Sequence, residues 1–160
     1  MRTNTKQALN WSLVFFAIGL VTPSLIIFFL EVSVGHINPF VSVAHILRRQ
    51  FAEGDNLFLL AVFGLIPFAV LSMACFVAAR RLHSSRLTCV ALGGLLGILG
   101  FMVPTHIAVW YPLYGRGHMS STAVIAFLFI PFYCIGSLCV GLFVGCLVSL
   151  LPVFRHARVA

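Results

Sequence analysis

Charge is what this sequence has least of. Only 8% of its 160 residues are Asp, Glu, Lys or Arg, and only three of those are acids. A soluble domain carries about a quarter charged residues on average, so a water-soluble globule is excluded. With 61% hydrophobic residues and a mean hydropathy of +1.11, the chain's solvent must be largely lipid. Signatures of chemistry are equally scarce. No G-x-S-x-G elbow supports the neighbours Ser33 and His36, or His118 with Ser120 and Ser121, as nucleophile and base. The glycines of GGLLGILG fall inside an apolar run, not in a phosphate-binding loop after a strand. No C-x-x-C pair occurs, and Cys75, Cys89, Cys134, Cys139 and Cys146 all lie in apolar segments, where thiols act as small hydrophobes. No enzyme activity and no cofactor are expected.

Long apolar runs are what the chain does have. Trp11 to Leu30 gives twenty uncharged residues closed by Glu31, with Asn10 placed to cap the helix. At about 1.5 Å per residue such a run spans about 30 Å, the hydrocarbon thickness of a bilayer. Its apolar core is too long for a signal peptide and no A-x-A-like cleavage site follows, so a retained helix is expected. Further runs cover residues 57–79, 87–110 and 122–152. The fourth is longer than an upright span needs, and tilt or a kink at Pro131 would absorb the excess. Pro23, Pro67 and Pro104 interrupt the other three, where neighbouring helices can re-satisfy the freed carbonyls. The chain therefore reads as an all-α membrane protein, one domain over residues 1–160 with four transmembrane helices.

The few charges carry topology. Arg2, Lys6, Arg80, Arg81, Arg86, Arg155 and Arg158 fall on the side that holds both termini. The other side has Arg48, Arg49 and Arg116, offset by all three acids, Glu31, Glu53 and Asp55. The positive-inside rule makes both termini cytoplasmic, with the bacterial inner membrane as the expected location. Trp110, Tyr111 and Tyr114 then mark the outer interface. The net charge of +7 is split into short clusters between apolar runs, so no nucleic-acid partner is expected.

Small residues suggest how the helices meet. Ser137, Gly141, Gly145 and Ser149 recur every four residues on the fourth span, and Gly93 and Gly97 do so on the third. Ridges of this kind let backbones approach closely in lipid. Packing of spans three and four against each other is the first reading, because a short loop joins them; a homo-oligomer through the Ser137–Ser149 ridge is the second.

No Asp, Glu, Lys or Arg falls inside a span, with His106 the nearest exception, which counts against proton- or ion-coupled transport. A neutral-solute channel would need a polar path from Thr22, Ser24, Ser72, Thr88 and Ser137. The candidate metal ligands are His36, His45, His106 and His118, all expected on the outer side beside the acids; imidazole with carboxylate suits zinc or copper, and paired histidines suit haem. No two of them share an H-x-x-x-H spacing.

The segment GHINPFVSVAHILRR follows the first span. Its His36-Ile37-Asn38-Pro39 resembles the H-x-N-P core of the aquaporin signature, over about six residues. Phe40 stands where that signature has alanine, no second Asn-Pro follows, and four spans replace six, so a water channel is excluded. Asn38 reads instead as an N-cap and Pro39 as a first helical residue. Phe40, Val43, Ala44, Leu47 and Phe51 form one apolar stripe, with Ser42, His45, Arg48 and Arg49 off it and Gly54 as terminator. A short amphipathic interfacial helix over residues 39–52, between spans one and two, is expected. The whole reads as a small accessory or interaction protein whose partners are membrane lipids and another membrane protein or a second copy of itself. An outer-side metal- or haem-binding redox protein and a neutral-solute carrier are the alternatives.

Overall fold

The computed structural model describes residues 2–52, 56–115 and 123–151, and all its regular structure is helical. The helices are α1 (Arg2–Ser33), α2 (Pro39–Arg49), α3 (Leu57–Gly64), α4 (Ile66–Ala79), α5 (Ser84–Gly115) and α6 (Ala123–Ser149). Four helical stretches are long and apolar enough to cross a membrane: α1, α3 continued by α4, α5 and α6. The short α2 lies between the first and the second of these.

Two helices run past the apolar stretches that announced them. Asn10 lies inside α1, not at its cap, because the helix begins at Arg2. The Asn4 side chain donates to the Leu82 carbonyl at 2.9 Å, and Gln7 donates to Thr88 Oγ1 at 3.0 Å. These bonds hold the extra turns of α1 against the α4–α5 turn. Helix α5 continues beyond Trp110 through Pro112 to Gly115. The second span is broken. Leu65 separates α3 from α4, its N–H turns back to the Val62 carbonyl, and Pro67 sits in the first turn of α4. Proline is tolerated there because the first helical N–H groups have no partner within the helix.

The end of α1 is shaped by a histidine. Val34 and Gly35 both donate to the Leu30 carbonyl, and Ile37 donates to the Glu31 carbonyl at 3.0 Å. His36, at φ 51°, supplies the left-handed residue that closes the helix. That conformation usually falls to glycine, with histidine among the side chains enriched in it. Asn38 then starts α2, accepting the Phe40 N–H at 3.0 Å, with Pro39 following. The helix stops at Arg49, short of residue 52. Gln50 ends it: its side chain donates to Ser24 Oγ at 3.1 Å, and its carbonyl oxygen accepts from the Phe58 N–H. Gly54 lies outside the described residues.

The interior divides into two apolar clusters. The larger gathers Phe15, Phe68, Leu71, Ile98, Met102, Cys134 and Leu138 from α1, α4, α5 and α6. The smaller, at the α2 end, holds Ile26, Ile27, Leu30, Ile46, Leu57 and Trp110. Helices α5 and α6 meet most closely, along glycine. A Cβ added to Gly93 would lie 2.5 Å from the Gly141 carbonyl oxygen, and one added to Gly97 would lie 2.6 Å from that of Ser137. Ser137 Oγ donates to the Gly97 carbonyl at 2.6 Å across the same seam, while Ser149 donates within its own helix to Cys146. Gly145 completes the contact against Cys89 and Val90.

Candidate functional site

The single described acid is not at the surface. Glu31 stands in the last turn of α1 with 2% of its side chain exposed, and α2 crosses over it. Ser42, fully buried on α2, donates to Glu31 Oε2 at 2.6 Å. The Tyr114 hydroxyl, from the end of α5, donates to Oε1 at 3.5 Å and accepts from Arg49 Nη1 at 3.1 Å. Arg49 Nη1 lies 3.8 Å from the same carboxylate oxygen, and its guanidinium sits 5.5 Å over the Trp110 ring. One carboxylate thus ties together α1, α2 and α5.

The strengths within this cluster are unequal. The short hydroxyl-to-carboxylate bond from Ser42 is charge-assisted, roughly twice as strong as a neutral one. The direct ion pair is long, and Arg49 keeps 20% exposure, so it contributes less. A cation over an indole face adds about 1 kcal/mol when partly desolvated. What the ring of partners does together is make the burial of a carboxylate tolerable, since an uncompensated charge at that depth would cost several kcal/mol.

This seat decides which face of α2 turns inward. Ser42, Ile46 and Arg49 recur at i, i+4 and i+7, the spacing of one helical face, and Ser42 and Ile46 are buried. The apolar stripe points the opposite way: Phe40 is 88% exposed, Phe51 73% and Leu47 66%. Of the polar residues off that stripe, Ser42 and Arg49 turn inward, whereas His45 and Arg48 are exposed.

The histidine set is dispersed in role. His36 is exposed and shapes the α1–α2 joint. His45 is exposed on α2. His106 is buried, its Nδ1 3.1 Å from the Met102 carbonyl oxygen and its ring against Phe127. His118 lies outside the described residues. Among the described residues no three His, Cys, Asp or Glu side chains gather as a metal site requires.

The hydroxyls proposed above as a polar path are each engaged within the protein. Thr22 and Ser72 donate to the carbonyls one turn back, Ile18 and Phe68, and Ser137 to Gly97. Ser24 and Thr88 accept from Gln50 and Gln7. Back-bonding of this kind is how serine and threonine satisfy themselves in apolar helices.

Sequence reasoning treats Glu31 as the edge of a span, Ser42 as a polar residue off the α2 stripe and Tyr114 as an interface marker, and it passes over Gln50 altogether. A usable signal existed: Ser42 and Arg49 sit seven residues apart, on one face of α2, directly after the one acid that borders a span. No family model, curated protein or solved structure matches this chain.

Proposed function

We propose that the protein is a non-enzymatic accessory protein of the bacterial inner membrane, with both termini cytoplasmic, that uses α2 on the outer side to bind another membrane protein or a lipid. The observation that carries this reading is the orientation of α2. Its polar face is fastened inward on Glu31, so Phe40, Val43 and Leu47 are held outward. Leaving a large apolar side chain in water forgoes about 1.5–3 kcal/mol. Three such residues on one short helix call for an apolar neighbour, at the headgroup and acyl boundary or on a partner. His45 and Arg48, exposed beside the stripe, suit the polar level of that boundary.

Photo-crosslinking residues placed singly at Phe40 and Leu47 in native membranes test the reading. A discrete protein adduct or lipid adducts at both positions are expected, with loss of the protein adduct when Glu31→Ala frees the helix. Quenching by water at both positions, with neither adduct formed, overturns it.

A further inference from the structure

The close contact of α5 with α6 leaves a valley beside it. Toward the end of the bundle that carries the α4–α5 turn, the two helices border an open groove of about 540 Å³. Gly93 and Gly145 form its floor, and Leu92, Leu96, Val144 and Val148 form its walls. The groove exists because backbone meets backbone at the glycines while the neighbouring side chains stand proud. From Ser85 to Leu96 it follows α5 for about three turns, or about 16 Å at an α-helical rise of about 1.5 Å per residue. One leaflet contributes about half of the roughly 30 Å hydrocarbon core. The groove therefore has the length of one acyl chain, and Ser85 and Thr88 make its mouth polar.

The mouth is also where cations collect. Arg86 adjoins Ser85 and is half-buried, while Arg80 and Arg81 are exposed in the preceding turn. The bonds from Asn4 and Gln7 bring the exposed Lys6 to the same end. The one described acid, Glu31, lies at the opposite end of α1, and the chain's other two, Glu53 and Asp55, fall in the segment between α2 and α3. Four basic residues thus share an end of the bundle with no described carboxylate. Basic clusters beside a membrane-spanning helix attract anionic headgroups, each residue strengthening the attraction about fivefold.

We propose that the α5–α6 groove is a binding site for an anionic diacyl phospholipid, one acyl chain lying between Leu92, Leu96, Val144 and Val148 and the phosphate meeting Arg86 at the mouth. Charge favours this occupant over a second copy of the chain. A copy seated in the groove in the same orientation would bring its own four cations to an end with no described carboxylate. The site is separate from α2, and its occupancy does not depend on what that helix binds.

Native mass spectrometry of protein released from nanodiscs of equal phosphatidylglycerol and phosphatidylcholine tests the proposal. The wild-type chain is expected to retain one phosphatidylglycerol in preference to phosphatidylcholine. Arg86→Gln lowers phosphatidylglycerol retention about fivefold and leaves phosphatidylcholine unchanged. Val144→Phe, which fills the groove, lowers retention of both; Leu96→Phe on the facing wall serves if the first variant loses helical circular dichroism. Retention unaffected by the charge and the filling variants overturns the proposal, as does a dimer mass in place of the lipid-bound monomer.

Discussion

Glu31→Ala is expected to lower the unfolding free energy by about 3 kcal/mol, and to free α2 before the bundle itself unfolds. Removing the carboxylate takes the acceptor from Ser42 Oγ, which is fully buried, and from the Tyr114 hydroxyl. It also takes the Glu31 carboxylate from the Arg49 guanidinium. The lower end of the range for broken buried pairs applies because Arg49 keeps 20% exposure and still has Tyr114 and the Trp110 ring. Ser42→Ala, which removes one charge-assisted bond and leaves the ion pair, costs about 2 kcal/mol. Arg49→Leu and Glu31→Ala together cost less than the two single losses added, because the pair shares one interaction. Denaturant titration in micelles, followed by circular dichroism, measures the free energies. Hydrogen exchange over residues 37–50 reports the release of α2. A Glu31→Ala chain within about 0.5 kcal/mol of wild type, with α2 still protected, would show that the cluster holds nothing in place.

The same cluster marks where sequence reasoning stopped. Uncharged runs located all four spanning stretches, and Asn38-Pro39 located the start of α2, because both features are local. The seat of α2 is not local. In a water-soluble protein the apolar stripe of a helix faces the core, and a stripe of Phe40, Val43, Leu47 and Phe51 would be read as the buried side. When lipid is the solvent, the inference reverses: the stripe identifies the face turned away from the protein, and the polar residues opposite it find partners inside. Ser42 and Arg49 could be placed on one face from their spacing, but nothing in that spacing says a carboxylate of α1 waits beneath them. Helix ends were misjudged for a related reason. Asn4 and Gln7 extend α1 through bonds to Leu82 and Thr88, residues 78 and 81 positions away, and composition holds no trace of such pairings. The histidines show the converse limit. Residue type named four possible ligands, whereas His36 is where it is for its backbone angle and His106 for its packing against Phe127.

The α5–α6 seam yields the other large effect. Gly141→Leu is expected to cost more than about 3 kcal/mol and to prevent the two helices from closing, seen as lost helical protection and poor accumulation in the membrane. Over-packing usually costs about 1–3 kcal/mol because side chains can shift aside. At Gly141 they cannot, since a Cβ there would strike the Gly93 carbonyl oxygen and lie 3.0 Å from the Gly97 Cα, both main-chain atoms. Gly94→Ala should be milder. Its Cβ would meet only side-chain methyls, the nearest being Leu71 Cδ1 at 2.5 Å, and a leucine can change rotamer. Gly100 and Gly136 have nothing within 4 Å of an added Cβ, so alanine at either should stay within about 1 kcal/mol of wild type. Ser137→Ala removes the hydroxyl bond to Gly97 without touching the backbone contact, at about 0.6 kcal/mol, the average for hydrogen bonds between membrane helices. The ordering separates two causes of cohesion. A large loss at Gly141 with a small one at Ser137 means that main-chain proximity holds the seam; equal losses would mean that the interhelical hydrogen bond does, and that the glycines merely make room for it.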